Sequence, residues 1–164
     1  MGTLFDAHQR ATIESATGRI IPKDRDPGAI EAGVIDYVEN ALGGYDAEYL
    51  PVYIDGVEEL DRLAHEMFNA MTFTSLRARE QDQVLARLEK KESPFFVHLL
   101  EHTMQGFYGD PCHGGNRHRA SWKMIGFPGP AHPHGYQPPF GWYDENILDE
   151  YDPGQTQGED DAEK

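Results

Sequence analysis

Cysteine is almost missing from this 164-residue chain, and the single Cys112 excludes both an intrachain disulfide and any metal site made of cysteines alone. Basic residues are few: 14 Lys and Arg stand against 29 Asp and Glu, for a net charge of −15. That balance excludes general affinity for nucleic acid or anionic lipid, both of which need positive charge on the protein. No apolar run approaches the roughly 20 residues of a membrane span. The opening MGTLFDAHQR holds neither a signal-peptide core nor a twin-arginine pair. Read as it stands, the chain is expected to be cytoplasmic, or periplasmic if exported with a partner. There is no G-x-G-x-x-G, no P-loop lysine and no G-x-S-x-G, which removes the common dinucleotide, nucleotide and serine-hydrolase routes.

The length suits one domain with a real core. Residues 144–164 carry nine acids and one Lys and read as a solvated acidic tail. Residues 1–143 are expected to form a single all-α domain of about five helices, closed by a long ordered Gly/Pro/aromatic segment. Thr3 and Asp6 have capping-box spacing, and Phe5, Ile13, Ala16 and Ile20 share a face up to a stop at Pro22. Asp26-Pro27 predicts the start of a second helix, with Ile30, Val34, Tyr37 and Ala41 inward and Gly43-Gly44 as its end. A third helix is predicted from about Pro51 to Phe68, with Ile54, Val57, Leu60, Ala64 and Met67 inward. A fourth runs from about Ala78 to Lys91 on Gln81, Val84, Leu85 and Leu88. Ser93-Pro94 opens a fifth, PFFVHLLEHTMQGFY. It carries one apolar face at Phe95, Leu99, His102 and Phe107 and another at Phe96, Leu100 and Met104. Two apolar faces predict burial on both, at the centre of the bundle.

From Gly109 the chain fills with Gly, Pro, His and aromatic residues. Pro and Gly punctuate it too often for long helices. Trp122, Phe127, Tyr136, Phe140 and Trp142 are too many aromatics for a free linker, so this stretch wraps its own helices or docks on a partner.

Three constellations offer chemistry. His98-Leu99-Leu100-Glu101-His102 matches H-x-x-E-H, in which two histidines one helical turn apart share a zinc with the glutamate near its water. The plainer account is a helix whose histidines pack and hydrogen-bond, and a third ligand is not identifiable. Cys112, His113, His118, His132 and His134 form a loop cluster with soft and borderline ligands, though in no standard finger spacing. Ser121 and Cys112 have histidines close in sequence, which is not a triad. Gly114-Gly115-Asn116 reads most simply as a tight turn of left-handed residues.

The order of these features carries a resemblance. Ile20-Ile21-Pro22, Asp26-Pro27-Gly28-Ala29, the EQDQVLARLE helix, FFVHLLEHTMQGFYGDP, GGN and Trp122-Lys123-Met124-Ile125-Gly126-Phe127-Pro128-Gly129 follow one another over about residues 4 to 137. Together they resemble the gluconate 2-dehydrogenase subunit 3 family. The resemblance implies a small helical subunit, with no cofactor of its own, paired with a large FAD-dependent subunit of the glucose-methanol-choline (GMC) type. Such complexes oxidise sugar or sugar-acid hydroxyls, with relatives acting on gluconate, fructose, glucose or glucosides at C3, and many pass electrons to a cytochrome c. Flavin and catalytic base belong to the large subunit. Two departures from the family's pattern are the missing twin-arginine signal and the Cys112-His113 pair.

The reading that follows is a non-catalytic accessory subunit that binds and stabilises the flavoprotein. The partner contact is expected at Asn116, Arg117, Arg119, Trp122, Lys123, Met124, Phe127, Tyr136 and Phe140, with Trp122 and Phe127 as anchors. The alternatives are a zinc metalloenzyme using His98, Glu101 and His102, and a stand-alone binding module using the aromatic loop.

Overall fold

The computed structural model of the chain describes residues 4–129, and among them every regular element is helical. The elements are α1 (Ala7–Ile20), α2 (Val34–Leu42), α3 (Leu50–Phe68), α4 (Ala78–Lys90), α5 (Pro94–Tyr108) and the short α6 (Ala120–Met124), with 3-10 turns between them. The chain divides into two units, Met1–Ser121 and Trp122–Lys164. Tyr136, Phe140, His132, His134 and the acidic tail lie outside the described residues.

Asp6, not Thr3, caps α1: its carboxylate accepts from the Gln9 N–H at 2.7 Å, and the Gln9 amide oxygen accepts from the Asp6 N–H at 3.0 Å. Asp6 is therefore the cap itself rather than the third residue of the box, and Gln9 completes it. The predicted second helix begins seven residues late, with Gly33 rather than Asp26 at its N-cap. Residues 28–33 close a single turn, held by Ala32 N–H to the Gly28 carbonyl and Val34 N–H to the Ala29 carbonyl. Gly33 then turns left-handed at φ +67. That kink takes Ile30 off the face of Val34 and leaves it exposed, contrary to the expected inner stripe.

The third and fourth helices fall where their periodicity places them. Helix α4 buries Gln81, Val84, Leu85 and Leu88, the four residues expected. Helix α3 buries Tyr53, Gly56, Val57, Leu60, Leu63 and Ala64, while Ile54 and Met67 stay partly exposed at the edge of its stripe. Helices α1 and α5 each pack against all four other long helices.

The close packing rests on two glycines. A Cβ on Gly56 would lie 2.1 Å from the Phe95 ring, so α3 and α5 meet through the missing side chain. On the other side of α5, a Cβ on Gly106 would come within 2.9 Å of Tyr37 on α2. Helix α5 is central in this sense, yet only one of its apolar faces is closed. Phe95, Leu99, His102, Thr103, Gly106 and Phe107 are buried. Val97, Leu100, Met104 and Tyr108 are exposed, which corrects the expectation of burial on both sides.

Candidate functional site

Helix α5 places the three residues of the H-x-x-E-H motif in different surroundings, with the His98 and His102 rings 6.3 Å apart. His102 points inward and is 2% exposed. Its Nδ1 lies 2.8 Å from the Tyr53 hydroxyl and its Nε2 3.1 Å from an Asp46 oxygen. A carboxylate can only accept, so Nε2 carries the proton, and in the neutral ring Nδ1 accepts from the Tyr53 hydroxyl. Both ring nitrogens are thus committed, and neither offers a lone pair to a metal. The His102 ring also stacks on Tyr53 at 5.7 Å and meets Tyr37 edge-on at 6.2 Å. His98 stacks on Tyr49 at 3.9 Å, and Glu101 is exposed, accepting from the Gln105 amide at 3.2 Å. Among the described residues no three His, Cys, Asp or Glu side chains gather as a metal requires.

A second set of bonds lies beside the Tyr53–His102–Asp46 chain, next to it through the Tyr37–His102 ring contact. The Tyr37 hydroxyl donates to the Gln105 amide oxygen at 2.7 Å and lies 2.5 Å from the Tyr45 hydroxyl. Burial, then the negative charges of Asp46 and Glu101, pushes the Tyr53 hydroxyl well above the usual tyrosine range. Burial, then its bond to Tyr45, does the same for Tyr37. The network ties the loop before α3 to α2, α3 and α5 and leaves its buried polar atoms satisfied. Tyr53 was missed in the sequence, although Tyr53, Val57, Leu60 and Ala64 repeat at spacings of four, three and four.

The segment after α5 is a second built element. Asp110 accepts from the Cys112 N–H at 2.9 Å, which holds its carboxyl below the usual range. The same neighbour pushes the exposed Cys112 thiol up, away from the thiolate form. Gly114, Gly115 and Asn116 follow with φ of +103, +50 and +42, the left-handed turn expected of GGN. Gly115 cannot carry a side chain, because its Cβ would sit 2.1 Å from the Gly106 carbonyl oxygen. His118 and Arg119 are also left-handed, at +56 and +55, an unusual density of such residues.

Asn116 is the clasp of this loop. Its Nδ2–H donates to the Gly109 carbonyl at 2.8 Å. Its Oδ1 accepts from the Ser121 N–H at 3.1 Å and the Ser121 hydroxyl at 2.9 Å. The Arg117 N–H donates to the Ala32 carbonyl at 2.9 Å, and its guanidinium pairs with Asp36, which also takes Arg10 at 3.0 Å. Ser121 is thereby a buried structural hydroxyl rather than a nucleophile.

The expected partner residues separate by exposure. Asn116 is fully buried, and its role is the internal one just described. In the second unit Trp122 is only 5% exposed and lies edge-to-face with Phe127 at 5.1 Å, the Phe127 N–H donating to the Trp122 carbonyl at 2.7 Å. The indole is therefore covered, and among the described residues of this unit the exposed large apolar groups are Met124, Ile125 and Phe127. Arg117 and Lys123 are exposed, and Arg119 is half-buried.

Searches of the curated proteins and of the solved structures returned no match to this chain. The family comparison is positive: residues 7–129 match the profile of gluconate 2-dehydrogenase subunit 3, a stretch that runs from the first residue of α1 through the GGN clasp to the end of the WKMIGFPG segment. Since this match spans well over half of the sequence and takes in both built elements, the chain belongs to the gluconate 2-dehydrogenase subunit 3 family.

Proposed function

We propose that this chain is the accessory small subunit of a flavoprotein dehydrogenase, bound to a large FAD-dependent subunit of the GMC type that oxidises a hydroxyl of a sugar, sugar acid or glycoside. The flavin and the catalytic base reside in the large subunit, and a cytochrome c takes the electrons. The observation that carries the reading is membership of a family that forms one subunit of a multi-subunit dehydrogenase. The internal use of His102 supports it over zinc chemistry, since both nitrogens of the most suggestive motif residue already hold the fold.

Each unit contributes its own part of the partner contact. Arg117 and Arg119 come from the first, and Lys123, Met124 and Phe127 from the second. Tyr136 and Phe140 complete the set outside the described residues. Asn116 and Trp122 shape the segment from within. Co-expression with a GMC-type flavoprotein subunit from the same genome tests the reading. The expected result is one complex that elutes with the visible absorption of bound flavin and loses flavoprotein stability when this chain is omitted. Turnover of a sugar acid by the purified chain alone, or stoichiometric zinc with activity lost on chelation, overturns it.

A further inference from the structure

The outer face of α5 is apolar and uncovered. Val97, Leu100, Met104 and Tyr108 recur at spacings of three, four and four and are 51%, 40%, 43% and 39% exposed. They form one stripe along about 16 Å of helix. Beside it lies a groove of about 390 Å3 lined by Phe96, Val97 and Leu100 together with Glu89, Glu92 and Glu101. A second hollow, shared through Glu89, Phe96 and Leu100, carries the groove on between α4 and α5 to Ile20 at the end of α1.

The rim has one sign. Arg19, the cation at the far end, is bound to Asp82 at 2.7 Å. Among the described residues Glu89, Glu92 and Glu101 take part in no ion pair, although Lys91 beside them pairs with Glu59, and Arg62 and Arg77 pair with other glutamates. Glu92 also occupies a left-handed position, φ +52, in the tight connection from α4 to α5. Glycine is the relaxed residue there, so the chain accepts backbone strain while placing a carboxylate at the mouth of the groove.

We infer that this groove docks the catalytic subunit, through an amphipathic helix whose apolar ridge fills it and whose flanking Lys or Arg residues meet Glu89, Glu92 and Glu101. The inference rests on the accessory-subunit reading and adds a contact surface distinct from the segment after α5. A contiguous apolar stripe rimmed by charge is the surface of an interaction site, and a groove between two helices accepts a third through residues spaced three and four apart. A second copy of this chain is the wrong occupant, because pairing the two faces brings three carboxylates against three in molecules that each carry −15.

The experiment uses full-length chain co-expressed with the flavoprotein. Leu100→Glu combined with Met104→Glu is expected to weaken association by about 30- to 1000-fold, the range for loss of a central apolar anchor. The melting temperature of the isolated small subunit should stay unchanged, since both side chains are exposed. Glu92→Gly separates binding from folding more sharply: the isolated chain keeps or gains stability as the strain is relieved, while association weakens and its salt dependence flattens. A photo-crosslinking residue at Met104 identifies the occupant, and capture of the flavoprotein is expected. Capture of a second copy or of residues 130–164 overturns the inference, as does co-purification of the double variant at wild-type affinity. If that variant binds normally while the wild-type complex forms, only the groove assignment falls. If wild-type chain brings down no flavoprotein, the functional reading falls and takes the groove with it.

Discussion

Helix α5 has two faces of similar composition and opposite fate. On one, Phe95, Leu99 and Phe107 are sealed against α2 and α3, with Gly56 and Gly106 cleared away so that the backbones can close. On the other, Val97, Leu100 and Met104 stand open between acidic lips. Hydrophobicity drove only the first to closure, because only there do the neighbouring helices supply a matching surface. An apolar stripe on a helix thus states that something covers it, and says nothing of whether the cover is in the same chain.

The sharpest test of that contrast uses adjacent leucines. Leu99→Ala removes a fully buried side chain and should cost about 2–5 kcal/mol. Leu100→Ala, one residue on, should cost under about 1 kcal/mol in the isolated chain, by urea denaturation of both variants. Equal losses would erase the distinction between the faces. Next in size is Gly56→Ala. Its new methyl meets the Phe95 ring and should destabilise by about 1–3 kcal/mol, partly recovered when Phe95→Leu is added.

Tyr53→Phe deletes one hydroxyl from the buried network and leaves a His102 nitrogen unpartnered, at a cost of about 1–2 kcal/mol. It also carries a pH signature. The folded chain holds the Tyr53 proton more tightly than the unfolded chain does, so this part of the stability is complete below about pH 10 and fades as pH rises above it. The alkaline limb of a melting-temperature profile should therefore be shallower in the variant, though not flat, because Tyr37 is shifted the same way. Asp110→Ala is the smallest, about 0.5 kcal/mol for a partly buried cap of one short turn. Its sign is opposite: the folded carboxyl is the stronger acid, so the contribution is present above the ordinary carboxylate range and fades as pH falls through the lowered value. Thermal melts carried from neutral pH down below the ordinary carboxylate range would show it.

How much of this was legible depends on how local the cause is. Gln81, Val84, Leu85 and Leu88 were readable because a regular stripe on α4 needs nothing beyond period and burial. The start of α2 was misread at Asp26-Pro27 because a turn that closes and then breaks at Gly33 has the same local signals as a helix start. The GGN turn was readable from glycine chemistry. What Asn116 clasps was not, since its partners Gly109 and Ser121 are fixed only when the loop closes. The family signature WKMIGFPG marked the right stretch, yet residue type alone could not tell covered Trp122 from exposed Phe127. His102 was placed correctly on the inner face of α5. Its acceptor Asp46 lies 56 residues away in a loop and has no periodicity to reveal it.

The contact between Gly115 and Gly106 has a consequence for how sequences of this fold can vary. Where a Cβ would fall 2.1 Å from a carbonyl oxygen, no smaller neighbour can make room, because the obstacle is main chain. Position 115 is thus closed to compensation: a change there cannot be rescued by a second change at position 106, which is already glycine. Gly56 is different in kind, since its obstacle is the Phe95 ring, and a smaller residue at 95 reopens the site. In a saturation library selected for folded chains, position 115 should therefore appear fixed and independent, and positions 56 and 95 should vary only as a pair.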